Sequence, residues 1–327
     1  MCRKVKFAMK EDNYKKRSWH HDYRMPFIYH IIFKKINEAP DFGFLRGDSK
    51  YLPGNTGAPY VYLSNLGKSI FNGFELFLKE FPIFEKFRHC IMPDHIHFIL
   101  YKKERSEYHL DWYMLKLKEK MLLNYCYETK KDFQINDIFQ DNYTDKPLYD
   151  NVKLNNWFVY LNENPFRRLT IIQNRDFFKK IQNINLCGRN VDIYGNIFLL
   201  TYPEKFAVRI RRHFSNEEIH NYYNETMNLV EQGTVIISPF ISKSEKGIRD
   251  AIISKGGRII LIQYNSFGEI YKPARDNFYL CKEGKLLIIS LRLDPRTELS
   301  YQLSTEMNEL AAHIASSTFD SRLLPLG

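Results

Sequence analysis

The sequence predicts an α+β protein in which an antiparallel sheet with helices on one face is followed by an α/β domain of Rossmann-like topology. Strand-like and helix-like segments follow one another in mixed order in the first half, which is typical of α+β domains. The second half runs strand, helix and strand, a βαβ unit that favours a parallel sheet. At 327 residues the chain is long enough for two cores. We therefore predict two domains, 1–182 and 183–327.

The first domain begins with a strand and a loop. Residues 26–36 ("PFIYHIIFKKI") are rich in aromatic and β-branched side chains and predict a strand. Residues 51–62, punctuated by Pro and Gly, predict a loop. Apolar residues then recur with helical spacing over 64–81. "FRHCIM" and "HIHFILYK" follow as two strands, joined by a tight turn at residues 92–94.

Two further helices are predicted before the domain ends. Residues 108–125 carry an apolar stripe with a 3.6-residue period. After a polar stretch, a helix begins near Lys153, with Asp150 or Asn151 as its cap. We expect this helix to end near Asn164, because Pro165 disfavours the helical conformation of the residue before it.

The second half has a different pattern. Residues 175–196 predict a passage between the domains. "GTVIISPFI" (233–241) predicts a buried strand, and a helix is expected from Ser244. "GRIILIQY" and "KLLIISLR" predict two more buried strands. These segments define the βαβ unit.

The net charge of +10 is concentrated in the first half. Residues 1–182 contain 31 Lys and Arg against 22 Asp and Glu, whereas the remainder contains 17 against 16. A basic surface attracts polyanions, of which nucleic acid is the commonest. The alternative is a charge that serves solubility alone.

The five cysteines are scattered and include no C-x-x-C pair, which argues against a zinc knuckle or a disulfide framework. The N-terminal segment is charged and has no apolar core of a signal peptide, and no segment is long and apolar enough to span a membrane. We therefore expect a cytoplasmic protein without a membrane partner.

A pair of histidines in "RHCIMPDHIHFIL" is the first candidate for chemistry. Residues i and i+2 of a strand point to the same face, so His95 and His97 project side by side while Ile96 and Phe98 face the core. Two imidazoles on one rigid strand suit a metal ion. The alternative is a pair of half-buried histidines in an ordinary strand.

The predicted helix in "KLNNWFVYLNENP" offers a second group of polar side chains. Tyr160 and Asn164 are four residues apart and share one helix face, while Trp157, Phe158 and Leu161 form an apolar stripe that packs on the sheet. A phenol and an amide can therefore be offered to one point. In the alternative, Tyr160 is a packing residue among 22 tyrosines and Asn164 ends a helix.

Together, M-P-D-H-I-H (92–97) and Y-L-N-E-N-P (160–165) resemble the motifs of the HUH single-tyrosine transposases, most closely the REP-associated tyrosine transposases. "IFQDNYTDKPLYDN" lies where that family has an aromatic-rich segment. The resemblance covers roughly residues 20–170. It implies a ferredoxin-like or RRM-like sheet in the first domain.

The resemblance also implies an activity. His95, His97 and Asn164, with Glu163 as an alternative third ligand, would hold one Mg²⁺ or Mn²⁺. Tyr160 would attack a phosphodiester and form a 5′-phosphotyrosine. The implied partner is single-stranded or hairpin DNA of repetitive palindromic elements, bound by a monomer or homodimer.

Basic residues outside these motifs are candidates for DNA contacts. Lys116 and Lys120 lie on the predicted helix that follows the histidine strand. This helix lacks the phenylalanine-lysine pair expected of close relatives in the transposase family. The N-terminal arm offers further cations between aromatic residues, which suits a DNA stem or unpaired bases: Lys15, Lys16, Arg17 and Arg24. The alternative for the arm is a charged tail without a ligand.

The second half resembles, more loosely, the Rossmann-like domains of the DNA-uptake protein DprA and of LOG proteins. It contains neither G-x-G-x-x-G nor a P-loop lysine, so we predict no dinucleotide or ATPase site. An anion at a helix N-terminus is the implied ligand, bound by Ser242, Ser244, Glu245 and Lys246. The alternative is a structural or partner-binding domain.

Three functions follow from the sequence. The first is a metal-dependent DNA nickase and strand-transferase with a tyrosine nucleophile. The second is a DNA-binding regulator that kept this fold without cleavage. The third is a nucleotide sensor that works through the second domain.

Overall fold

The computed structural model describes residues 20–211, 213–268 and 271–319, so the predicted DNA contacts Lys15, Lys16 and Arg17 lie outside the described residues. The chain divides into two compact units, Met1–Leu169 and Thr170–Gly327. The α+β class predicted from the sequence is confirmed. None of the helices in the described ranges is long and apolar enough to cross a bilayer.

The first unit is built on a four-stranded antiparallel sheet in the order β4-β5-β1-β6, beside a separate two-stranded ribbon, β2–β3. A short 3₁₀ helix, Ile135–Asp137, precedes β6. The other elements of the unit are β1 (Phe27–Lys34), β2 (Gly43–Arg46), β3 (Tyr60–Leu63), α1 (Asn65–Glu80), β4 (Phe84–Ile91), β5 (His95–Lys102), α2 (Leu110–Thr129), β6 (Thr144–Pro147) and α3 (Asn151–Gln173).

Alternation along β5 separates two packing layers. Ile96 and Phe98 are fully buried and face α1 and α2, whose apolar residues complete the main core. Ile99 faces the other way, and Leu161 of α3 packs against it. The prediction that the helices pack on one face of the sheet is therefore correct for α1 and α2 only. The helix α3 covers the opposite face, which is the face that carries His95 and His97.

The predicted end of α3 at Asn164 is wrong. The helix continues through Pro165 to Gln173. An interior proline removes one backbone hydrogen bond and costs about 3 kcal/mol. Burial of Leu161 on one side of the proline and of Phe166 on the other offsets that cost, since both side chains are almost fully removed from solvent.

The second unit contains a six-stranded mixed sheet in the order β7-β8-β12-β11-β10-β9. The strands β9 to β12 are parallel, and β8 and β7 extend the sheet in antiparallel fashion. Short 3₁₀ helices span Arg175–Phe177 and Ile197–Thr201. The remaining elements are β7 (Lys180–Leu186), β8 (Arg189–Gly195), β9 (Lys205–Ala207), α4 (Asn216–Glu231), β10 (Val235–Ser238), α5 (Lys243–Ser254), β11 (Arg258–Asn265), α6 (Arg275–Lys282), β12 (Leu286–Leu293) and α7 (Tyr301–Ser316).

The predicted passage between domains is part of the second unit. Residues 180–195 form the hairpin β7–β8, so the boundary predicted after residue 182 falls inside a strand. The parallel strands are present as predicted, but they lie in chain order from β9 to β12. Doubly wound folds bind ligands where the strand order reverses. The parallel part of this sheet has no such reversal.

Gly73 lies where α1 contacts the backbone of α2, and we expect Gly73→Ala to destabilise the first unit. A Cβ there would lie 2.4 Å from both Lys120 O and Met121 Cα, so the two helices would have to separate. Overpacking of this kind costs about 1–3 kcal/mol. Urea unfolding followed by circular dichroism measures the loss.

Gly247→Ala is the matched control, because this glycine is also inside a helix, α5, but has open space around its Cβ position. The helix propensity of alanine then dominates, and we expect a gain of about 0.5–1 kcal/mol. Equal effects of the two substitutions would contradict the tight crossing of α1 and α2.

Candidate metal and nucleophile site

The strand β5 brings the predicted histidine pair to one face of the sheet. His97 is 3% exposed and pairs in register with Ile32 of β1 and Cys90 of β4. His95 stands at the first position of the strand and is partly exposed. The central position of β5 between two neighbouring strands makes this backbone rigid. The orientation of the two imidazoles is therefore set by β5 and by the groups that hold their ring nitrogens.

Asp94 forms a hydrogen bond with Nδ1 of His95, which we call the outer nitrogen of that ring. The Nδ1–H of His95 donates to Asp94 Oδ1 over 2.7 Å, and this hydrogen bond lowers the pKa of Asp94 to about 2. An ionised carboxylate only accepts hydrogen bonds, so the proton of the neutral ring resides on Nδ1. The Nε2 atom of His95 consequently presents a lone pair.

His30 of β1 holds the outer nitrogen of His97 in the same way. His30 Nε2 lies 2.9 Å from His97 Nδ1, and the two rings stack with centroids 5.1 Å apart. His30 is fully buried, and its ring centroid lies 3.8 Å from that of Trp157 in α3. The sheet and the helix together fix the position of His30.

The inner nitrogens of the pair converge. Nε2 of His95 and Nε2 of His97 are 3.0 Å apart. With the lone pair of His95 turned inward, either a proton on His97 Nε2 or a cation must lie between them. Two adjacent ligands of an octahedral ion with bonds of about 2.1 Å are separated by about 3.0 Å. The spacing therefore fits a metal ion, provided that the proton of His97 moves to Nδ1, where His30 can accept it.

Tyr160 of α3 lies beside this pair. Its ring packs edge-on against that of His97 with centroids 6.1 Å apart, and a similar edge contact with Trp157 spans 5.4 Å. The guanidinium of Arg167 lies 6.0 Å from the centroid of the Tyr160 ring. The helix thus places a phenol beside the histidines and a cation beside the phenol.

Asn164 and Glu163, the two predicted candidates for a third ligand, are both 6% exposed. Asn164 Nδ2 is buried and has no hydrogen-bond partner among the described residues. Amide nitrogen and oxygen positions interchange by rotation, so this buried amide can offer Oδ1 to a cation. Glu163 points its carboxylate toward Arg167, with the nearest oxygen and nitrogen 3.9 Å apart.

The described part of the chain contains no cluster of three His, Cys, Asp or Glu side chains arranged to hold a metal ion. Glu163 therefore does not form such a cluster with His95 and His97, and its role as a third ligand stays a prediction. Asn164 carries an amide, which is not one of these four side-chain types, and its role as a ligand also stays a prediction.

The site is bordered by cations. Arg168 is exposed and lies 3.9 Å from Asp94, next to His95. Lys146 of β6 lies 5.8 Å from the ring of Trp157, and Arg88 of β4 lies 5.5 Å from that of Phe158. With Arg167, these groups give the α3 face of the sheet a positive potential that suits a phosphate backbone.

The lysines predicted to contact DNA on α2 lie elsewhere. The helix α2 packs on the face of the sheet opposite to the histidines. Lys116 pairs with Glu119, and Lys120 pairs with Glu80. Both lysines therefore lie away from the histidine pair, and their contact with DNA stays a prediction. Arg24 is exposed on the segment before β1.

Two of the residues predicted to bind an anion in the second unit, Ser242 and Glu245, bond to the protein's own backbone. Ser242 caps α5 and accepts a hydrogen bond from Glu245 N. The carboxylate of Glu245 in turn accepts from the backbone N–H groups of Ile210, Ile241 and Ser242. These bonds occupy backbone donors that precede α5, and they use the carboxylate of Glu245 within the protein. Anion binding by Ser242, Ser244 and Lys246 stays a prediction.

No role for His30 was predicted from the sequence, and Asp94 was predicted only to lie in a turn. His30 is a polar residue inside the apolar run of "PFIYHIIF", and that break in the pattern was the available signal. Its distance along the chain from His97 concealed the contact. Strand pairing, in which Ile32 is the partner of His97, creates it.

We expect His30→Phe to weaken metal binding. Phenylalanine preserves packing against Trp157 but cannot accept the proton of His97 Nδ1. Loss of such an outer partner typically lowers metal affinity about 10–100-fold. Isothermal titration with Mn²⁺ measures this, and His30→Gln, which restores an acceptor, should recover part of the affinity. Unchanged affinity of His30→Phe would show that His30 does not position His97.

Neither the scan against protein-family models nor the search of curated proteins gave a match for this chain. Among solved structures, the chain is similar to a REP-associated tyrosine transposase bound to a REP hairpin. The two are 11% identical, the match covers 46% of this chain and 74% of that one, and the TM-score is 0.33. A TM-score of this size does not establish a shared fold.

Proposed function

We propose that this protein is a metal-dependent enzyme that nicks single-stranded or hairpin DNA and transfers the cut strand, with Tyr160 as nucleophile. One observation supports it above the others: the convergence of His95 Nε2 and His97 Nε2 at 3.0 Å, with the Tyr160 ring packed on His97. A phenol beside a pair of inward-facing imidazole nitrogens is the arrangement expected of a nucleophile next to a metal ion.

His95, His97 and Asn164 would hold the ion, which is Mg²⁺ or Mn²⁺ by the resemblance stated above. When bound, it would supply positive charge to the phosphate that is attacked. The residues around it keep the ligands in place. Asp94 fixes the ring of His95, and His30 fixes that of His97.

Tyr160 would perform the covalent step. Its Oη forms a bond to phosphorus while the bond from phosphorus to the 3′ oxygen breaks. The phenolic proton is lost to solvent, and the departing 3′ oxygen gains a proton and becomes a hydroxyl. The phosphate then joins Tyr160 to the 5′ end of the downstream strand. Attack by another 3′-hydroxyl reverses the step and joins the strands without ATP.

The cationic border would hold the substrate. Arg168 lies near Asp94 and Lys146 lies near the ring of Trp157, so both could bind phosphates of the strand that is attacked. Arg167 lies next to the Tyr160 ring and can stabilise charge on the phenol oxygen. Because Arg167 also neighbours Glu163, its position is fixed within α3.

Cleavage of DNA labelled at one end or the other tests this proposal. With Mn²⁺ present, a 3′-labelled single strand should yield label attached to protein on a denaturing gel. A 5′-labelled strand should yield a shortened free fragment instead. Intact binding without any cleavage would favour the DNA-binding regulator, and protein attached to the 5′-labelled fragment would contradict the proposed polarity.

A further inference from the structure

The two-stranded ribbon β2–β3 presents an exposed aromatic face. Phe44, Tyr60 and Tyr62 are 53%, 53% and 55% exposed, whereas Leu45 and Val61 on the other face are half-buried. In most strands with one buried face the large apolar groups point inward. Here the aromatic side chains point to solvent, and Phe44 and Tyr60 have no ring partner in the described ranges.

Register places these rings next to one another. Phe44 is directly opposite Tyr62, and Arg46 is directly opposite Tyr60. Opposite side chains of an antiparallel pair have Cβ atoms about 5 Å apart. The exposed face is therefore a continuous patch of three rings that ends in a guanidinium.

Two cations border the patch. Lys68 of α1 places its Nζ 6.0 Å from the centroid of the Tyr62 ring. Arg46 and Lys68 are exposed, and neither forms an ion pair with a carboxylate of the described residues. The nearby Asp48 is paired with Lys50 at 3.2 Å. The net charge next to the rings is therefore positive.

The ribbon is tied to the turn that carries the candidate site. Phe42, the residue before β2, is fully buried, and its N–H donates to Pro93 O over 2.8 Å. Ser64, the residue after β3, donates its N–H back to Phe42 O over 3.1 Å. Pro93 directly precedes Asp94 and His95, so both ends of the ribbon are anchored beside the histidine pair.

A second protein surface is a poor occupant for this patch. Four residues of strand extend about 13 Å, so two such strands offer far less than the roughly 800 Å² per partner of a stable protein interface. Exposed rings interleaved with unpaired cations instead match surfaces that bind unpaired nucleotides, where bases stack on aromatic groups and cations neutralise phosphates.

We propose that the β2–β3 ribbon is a stacking surface for unpaired bases of single-stranded DNA, which it guides toward the histidine pair. Its role as a guide rests on the proposed cleavage function, whereas its role in binding does not. The ribbon would make the enzyme select unpaired DNA, because bases within a duplex cannot stack on protein rings.

Binding of a fluorescently labelled oligodeoxythymidine to the full chain, in EDTA to prevent cleavage, tests the proposal. Phe44→Ala with Tyr62→Ala should weaken binding about tenfold or more, since a stacked base typically contributes a factor of this size. Tyr62→Phe, which keeps the ring, should bind like the wild type. Tyr127→Ala is the control, because Tyr127 is 86% exposed but lies on α2. Affinity for a duplex should be equal in all variants.

Unchanged affinity of the double variant for single-stranded DNA would overturn the proposal. So would a dimeric wild type that becomes monomeric in the double variant, because the ribbon would then be an interface between copies. Adduct formation separates the two proposals. Weaker binding by the double variant without adducts from the wild type would reject only cleavage, whereas adducts with unchanged binding would reject only the stacking surface.

Discussion

Tyr160→Phe should abolish covalent protein–DNA adducts while leaving DNA binding intact. Phenylalanine keeps the ring contacts with His97 and Trp157 and removes only the oxygen that would attack phosphorus. Loss of a nucleophile in an enzyme with a covalent intermediate lowers the rate by about 10³-fold or more. Denaturing gels of 3′-labelled single-stranded DNA incubated with Mn²⁺ measure the adduct, and anisotropy measures the binding.

Tyr101→Phe is the matched control for that experiment. Tyr101 lies in β5, six residues after His95 and therefore on the same side of the strand. Its phenol should not contribute to cleavage. Adducts that persist in Tyr160→Phe at the level of the wild type would show that another residue attacks the DNA. Equal loss of adducts from both variants would show that the loss is not specific to Tyr160.

His97→Ala should remove metal binding and cleavage together. The imidazole of His97 is the central link between His30 and His95, so its loss eliminates one inward-facing nitrogen and the support for the arrangement. We expect affinity for Mn²⁺ to fall by more than about 100-fold, beyond the effect of losing an outer partner. Isothermal titration measures the affinity, and circular dichroism verifies that the variant is folded.

His89→Gln is the control for the metal experiment. His89 lies on β4, where its ring packs against Phe71 and Phe74 on the side of the sheet opposite to His97. The His89→Gln variant should bind Mn²⁺ with the affinity of the wild type. If His97→Ala also retains the affinity of the wild type, the convergent imidazoles share a proton and the proposed metal site is wrong.

Local sequence patterns predicted the elements that carry the site. The alternation of "HIHFIL" predicted which side chains of β5 face the core, and helical spacing predicted that Tyr160 and Asn164 share a face of α3. These features depend on neighbours along the chain. The sequence therefore placed the histidines on one side of a strand and Tyr160 with Asn164 on one side of a helix. It did not predict that α3 covers the face of the sheet that carries the histidines.

Features that depend on distant contacts were not predictable in this way. His30 joins the site through strand pairing, and the carboxylate of Glu245 accepts a hydrogen bond from the N–H of Ile210, a residue 35 positions earlier in the chain. The α3 helix passes Pro165 because burial on both sides of the proline outweighs the local preference. The strand β3 begins inside residues 51–62, whose Pro and Gly residues predicted only a loop, and no element was predicted over β2.

The position of DNA attachment tests the central claim most directly. Adducts formed with Mn²⁺ can be digested with nuclease and trypsin and sequenced by tandem mass spectrometry. Cleavage after Lys153 and Arg167 releases residues 154–167, in which Tyr160 is the only hydroxyl-bearing side chain. We predict a nucleotide phosphate on this peptide. A phosphate linked to any other residue, or no adduct from the wild-type protein, would contradict the assignment of Tyr160 as the nucleophile.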